Sequence, residues 1–360
     1  MVNERKTTMK LNEKGERPIT YGLLPLGALE DVTEFWHWFA TNAHSYRGLR
    51  AAAETLTEIG HPEAGKLMEE AEAFRRDLVA AITEAAVRSP VVELKDGTWV
   101  PHYPSRPERR GRDSGWIRET LEGAMHLILC GLIDPCSKEE EWILKDYEDN
   151  RYVSEEYGYE IPELDRYWFS RGGFSMQPNL YGFQIPYLWR GDVKHFLRAF
   201  FKSFAVAFYP DVLALAEHPL PTMADWAGDV FKTSDEAIAC YCSRLMLIHE
   251  RGDTLVLLPA IPSKWLEDGA CITVEGAVTY FGAVSFNVES RVREGYVKMS
   301  LKPPARNPPK LIEVHFRHPC NLKIKEVKVN GKCWNEFDRE NNIVYIPPQT
   351  EPLEITVYFQ

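Results

Sequence analysis

The sequence predicts an α-plus-β chain: αα-hairpins forming a helical domain over residues 21–252, then an antiparallel β-sandwich over 253–360. Three observations carry that prediction. Apolar residues recur at helical spacing through two long stretches joined by Gly60-His61-Pro62. At Arg251-Gly252-Asp253 the helical repeat gives way to strict alternation. From Leu255 onward, short β-branched runs alternate with turn signals such as Asn330-Gly331. Residues 1–20 are polar, lack the apolar core of a leader, and read as an extended segment.

Tyr21–Arg50 opens the helical domain with a Pro/Gly loop and an acidic pair, Glu30-Asp31. Asp31-Val-Thr-Glu34 has the form of an N-cap, in which Asp31 accepts from an orphan backbone N–H. The helix expected after it carries Phe35, Trp36, His37, Trp38, Phe39, Asn42, His44 and Tyr46, spread over more than one face. Glu63–Arg88 forms the second helix, with Ala71, Phe74, Leu78 and Ile82 on its buried side, and the two make an αα-hairpin. Val91–Tyr103 reads as two short strands turning at Lys95-Asp96-Gly97. Ser114–Leu132 is a third helix, and the capping box Ser137-Lys-Glu-Glu140 opens a fourth through Tyr147. Glu148–Arg190 is irregular and rich in aromatics, the kind of long loop that is usually functional. Asp192–Phe208 is a fifth helix, and Thr233-Ser-Asp-Glu236 caps a sixth that runs to His249. Seven alternating runs follow, from Thr273–Glu275 to Leu353–Phe359.

Composition narrows the function. With 42 basic against 53 acidic residues the formal charge is −11, which argues against nucleic acid or an anionic membrane as partner. No apolar run is long enough for a membrane span. Seven cysteines, an odd number without framework spacing, point to reduced thiols and a cytoplasmic setting. Cys240-x-Cys242 has no matching ligand pair, and the scattered histidines lack metal spacing, so no metal or cofactor is expected. Phosphate-loop and G-x-S-x-G patterns are absent from the sequence.

Four stretches carry chemistry. In the opening segment, Glu30, Asp31, Trp36, His37 and Trp38 combine ring faces with hydrogen-bonding groups, as a sugar pocket requires, although a buried helix with a capping Asp reads the same way. In Gly111–Glu122, Asp113 falls at a loop-to-helix junction, Glu119 and Glu122 share a helix face, and Trp116 lies within a turn of Glu119. An apolar wall raises one carboxyl pKa while a polar setting leaves another low, which suits an acid and a base. The structural alternative has Asp113 cap the helix and pairs Glu119 and Glu122 with Arg112 or Arg118. Next, the capping box accounts for Glu236 and leaves Asp235 open to other work. Finally, Trp168, Arg171 and Gln177 flank Gly172-Gly173 in a loop suited to stacking and hydrogen bonding.

Together these features resemble the six-hairpin glycosidase superfamily. The opening Gly22–Leu67, the Asp113-Ser-Gly-Trp116 segment, and Leu257–Leu266 before a small sandwich are similar to bacterial (α/α)6-barrel glycoside hydrolases. The resemblance implies a toroid-like helical domain, an oligosaccharide substrate, an acid at Asp113 and a base at Glu236 or Asp235. It implies subsites lined by Glu30, Asp31, Trp36 and Trp38. It favours inversion. The helices present fill only part of a full toroid, which predicts an exposed apolar edge that pairs with a second copy. A non-catalytic sugar-binding protein is the alternative. A lyase or epimerase on the same barrel would draw on Tyr167, Tyr181 and His37.

Overall fold

The computed structural model describes residues 1–29, 32–94, 96–112, 123–151, 182–216, 218–220, 225–227, 231 and 233–360. It divides into two units, Met1–Gly191 with Ala199–Glu236, and Asp192–Arg198 with Ala237–Gln360.

In the first unit the helices Phe39–Glu58 and Ala64–Arg88 form the expected hairpin. Their joint is a Schellman motif: Gly60 takes φ +69, its N–H bonds Thr57 O, and His61 N–H reaches back to Leu56 O. Phe39, Ala43 and Tyr46 pack against Phe74, Leu78, Ala81, Ile82 and Ala85, with Leu127 and Leu132 closing the cluster. These positions recur every three or four residues, so each helix buries one stripe. A second Schellman turn at Gly131 ends the helix Met125–Leu129.

The predicted entry to the hairpin is corrected. Gly27–Leu29 and Val32–Trp36 are antiparallel strands, and the helix starts only at Phe39. Val, Thr, Phe and Trp are strong strand formers, and within that run they outweigh the capping pattern. The N-terminus also differs from an extended reading. Val2–Lys6 is a helical turn whose Arg5 is fully buried, bonding Gly22 O at 3.0 Å and Asp77 at 2.5 Å. Gly22 is required there: it sits at φ +74, and a Cβ would lie 2.4 Å from Asp77 Oδ2.

Val92–Glu93 and Trp99–Val100 pair as the short predicted hairpin. Lys138–Arg151 opens with the Ser137 cap, whose Oγ accepts the Glu140 N–H at 3.2 Å, and runs four residues past the expected end. Ile185–Trp189 is a helical turn inside the stretch expected to be irregular. Val193–Ala207 and Thr233–Leu247 are the last two helices among the described residues; the latter gives way at Ile248 to a strand, two residues earlier than expected.

The second unit is built from two sheets. One has the strand order Phe337–Asp338, Ile343–Ile346, Leu311–His315, Thr254–Leu257, Ile248–Arg251. The other runs Cys271–Thr279, Gly282–Arg291, Tyr296–Lys302, Leu353–Phe359, Ile324–Val329, Lys332–Trp334. Alternation turns Val284, Phe286, Val288, Val297, Met299, Ile355 and Val357 inward, where they join Leu255, Leu257, Ile312 and Val314 of the first sheet in one apolar cluster. The wholly antiparallel expectation is corrected at one place: Thr254–Leu257 pairs in parallel with Leu311–His315. Asn330 (φ 49) and Gly331 (φ 77) form the predicted type I′ turn.

Candidate functional site

The loop from Trp99 to Arg112 organises the polar interior of the first unit. Its Ser105 carbonyl accepts the Phe39 N–H at 2.9 Å, tying it to the start of the first long helix. Arg106 is buried, with its guanidinium 5.0 Å from the Trp36 ring centre and 4.8 Å from that of Trp38. His37 Nδ1 lies 2.5 Å from Glu108 Oε1. Asn42 joins the neighbouring segment, accepting the Leu24 N–H at 2.8 Å and donating to Trp38 O at 2.7 Å.

Further along the loop is a buried charge network. His102 Nδ1 is 2.5 Å from Asp146 Oδ2, and the other oxygen of Asp146 accepts from Arg112 Nε at 2.7 Å. Arg112 Nη2 reaches Asp149 Oδ2 at 2.9 Å. Burial disfavours the Arg112 cation, but the carboxylates of Asp146 and Asp149 outweigh it and hold its pKa above the ordinary value. Beside this network the Tyr103 hydroxyl is pushed up to about 12, first by burial and then by the charge of Glu139. Glu140, wholly buried, pairs with Arg190, and Tyr187 donates to Glu148.

The start of the Thr233–Leu247 helix reverses the roles read from the sequence. Asp235 is completely buried, with Ser234 Oγ 3.4 Å from its Oδ2. Glu236 is half-buried, and its Oε1 accepts the Leu215 N–H at 3.4 Å. Glu236 is thus the carboxylate with solvent access. Trp38 is also reassigned. At 1% exposure, with Arg106 over its ring, it serves packing and offers no face to a ligand. Trp36 and His37 stay partly exposed, on a strand and its exit instead of a helix.

Glu30, Asp31, Asp113, Trp116, Glu119, Glu122, Trp168, Arg171 and Gln177 lie outside the described residues. The His102–Asp146–Arg112–Asp149 network was missed by sequence reasoning. Its one local signal is the three-residue spacing of Asp146 and Asp149 on one helix face. Among the described residues no His, Cys, Asp and Glu cluster could hold a metal ion, and no helix is long and apolar enough to cross a membrane. None of the seven cysteines is in a disulfide, and burial pushes the Cys130 thiol up to about 12.

No protein-family model matches the chain, and neither does any curated protein. Among solved structures it is similar to a GH127 beta-L-arabinofuranosidase from Geobacillus stearothermophilus T6, at 11% identity and TM-score 0.38, over 92% of this chain and 62% of that one. A structure titled a glycoside hydrolase aligns at 12% identity and TM-score 0.41, over 89% and 56%. A GH127 beta-arabinofuranosidase aligns at 11% identity and TM-score 0.39, over 87% and 51%. The chain spans between half and two thirds of the length of each. Scores of this size specify neither its fold family nor its activity.

Proposed function

We propose that the chain is a glycoside hydrolase acting on an oligo- or polysaccharide through two carboxylates, on a partial (α/α)6 toroid over 21–252 carrying a β-sandwich over 253–360. Asp113 is the acid and Glu236 the base, with Asp235 and Glu119 as the neighbouring carboxylates. The observation that supports this most is the buried ion network at the root of the loop that runs in sequence into Asp113-Ser-Gly-Trp116. Arg112, the residue before Asp113, is held by Asp146 and Asp149, and His102 fixes Asp146 in turn. Buried ions cost several kcal/mol to desolvate and are poor sources of stability. They recur where a site needs a fixed field and a rigid support.

In this reading Asp113 donates the proton to the glycosidic oxygen. Glu236, half-buried and bonded to one backbone N–H, draws a proton from water. Inversion needs the two carboxyls about 6.5–9.5 Å apart to admit that water. Trp36, Trp116 and Trp168 stack on sugar rings, while Glu30, Asp31, His37, Glu122, Arg171 and Gln177 bond hydroxyls.

The test is a reducing-end assay on an oligosaccharide and aryl-glycoside panel with wild type, Glu236→Gln and Asp235→Asn. Turnover that falls by ~10³ or more in Glu236→Gln assigns the base. Full activity in that variant removes Glu236 from the mechanism. An unsaturated product absorbing in the ultraviolet, formed together with the new reducing end, would mark a lyase instead.

A further inference from the structure

The outer face of the six-stranded sheet carries a second arrangement of sugar-binding groups, remote in sequence from Asp113. The register aligns side chains in rows across it. Thr273, Asn287, Ser300 and Glu354 form one row over four strands. Arg291, Tyr296, Tyr358 and Glu326 form another, four residues along, so about 13 Å away at ~3.3 Å per residue.

The first row floors an open groove of about 610 Å³, flanked by Glu275, Ser285 and Lys302. That volume falls within the ~300–1,000 Å³ usual for ligand clefts. Its polar groups are partly pre-set. Asn287 Oδ1 accepts from Thr273 at 2.8 Å, and the Asn330 side chain accepts the Glu354 N–H at 2.8 Å. Ser300 and Lys302 make no side-chain hydrogen bond among the described residues. In the second row the Tyr296 and Tyr358 rings sit 5.9 Å apart, tilted at 48°, and both are partly exposed.

Charge decides the class of ligand. Lys298 pairs with Glu354 at 2.6 Å and Lys328 with Glu326 at 3.4 Å, so opposite charges interleave and leave no single-sign field. Such a face has no pull on a polyanion or a polycation. Hydroxyl and amide groups beside tilted aromatic rings match a neutral, hydroxyl-rich chain.

We propose that this face is a non-catalytic binding surface for a neutral polysaccharide, its sugar rings lying on Tyr296 and Tyr358 and its hydroxyls meeting Asn287, Ser300 and Glu354. It would hold polymer independently of any turnover in the first unit. The experiment is affinity gel electrophoresis of the full chain in gels containing soluble xylan, mixed-linkage β-glucan, galactomannan or arabinan. Polygalacturonate serves as the charged control. At least one neutral polymer should retard the wild type. Tyr296→Ala combined with Tyr358→Ala should weaken that retardation tenfold or more, with the circular dichroism spectrum and hydrolysis of any small aryl glycoside unchanged. Asn287→Ala should weaken it less, and Glu236→Gln not at all, which separates this surface from the proposed active site. The proposal is overturned if no neutral polymer retards the wild type, if the tyrosine pair can be removed without effect, or if only polygalacturonate binds. A shift in oligomeric mass on removing the tyrosines, without any retardation, would assign the face to a second copy of the chain.

Discussion

The two units bury their interiors by different means. Beneath the C-terminal sheets the cluster is apolar from Ile248 to Phe359. The helical unit instead buries Arg5, His102, Glu140, Asp146, Asp149 and Asp235 along with its apolar stripes. An apolar core draws its stability from area removed from water, and each residue contributes in proportion to what it fills. A core holding ions depends on pairing, and losing one partner leaves the other charge stranded. The first arrangement suits a scaffold; the second is what the proposed site would use to hold charges in place.

The comparison breaks most visibly at Asp146. Asp146→Ala takes one partner from buried His102 and one from half-buried Arg112, which keeps Asp149, and should lower unfolding stability by about 3 kcal/mol in a urea titration. A loss under about 1 kcal/mol would mean the network is solvated and the contrast false. In the sheet unit the matching test is Ile355→Ala, which opens a cavity among fully buried neighbours. It should cost about 3 kcal/mol, with little dependence on salt.

A smaller effect probes an ionic feature beside the sheet core. The Glu313 carboxyl is held below its ordinary value chiefly by His315, whose Nε2 lies 3.5 Å from its Oε2, against burial, with Arg251 adding attraction. A depressed carboxyl stabilises the fold above its unfolded value, ordinarily 4.5, and the contribution disappears as pH falls through the folded value. Wild type should therefore exceed Glu313→Gln by about 2 kcal/mol at neutral pH, and the gap should close progressively below pH ~4.5 in pH-dependent denaturation. A gap that widened on acidification would reverse the sign. The smallest effect belongs to Ser137→Ala, which removes the cap on Glu140 N–H and should cost about 1 kcal/mol by thermal denaturation.

Legibility divided along the same line. Strict alternation exposed the sheet strands, and Asn330-Gly331 announced its turn because both residues must take positive φ. The parallel pairing of Thr254–Leu257 was not legible, since alternation and composition carry no strand direction. The helical hairpin was read from its apolar stripe, but Val32–Trp36 was taken for helix because a capping pattern and a strand-forming run competed over the same residues. The ion network was half visible. Spacing puts Asp146 and Asp149 on one face, while Arg112 and His102 reach them only through the fold. Asp235 and Glu236 exchanged roles because a capping box states which side chain can return to the backbone, and nothing about which one the surrounding structure buries.

A two-carboxylate glycosidase is tested most sharply by the rate of reducing-end release by wild type and Asp113→Asn, matched in concentration and in circular dichroism. Wild type should turn over at least one glycoside, and the variant should lose ~10³ or more of that rate. An Asp113→Asn protein within about tenfold of wild type would contradict it.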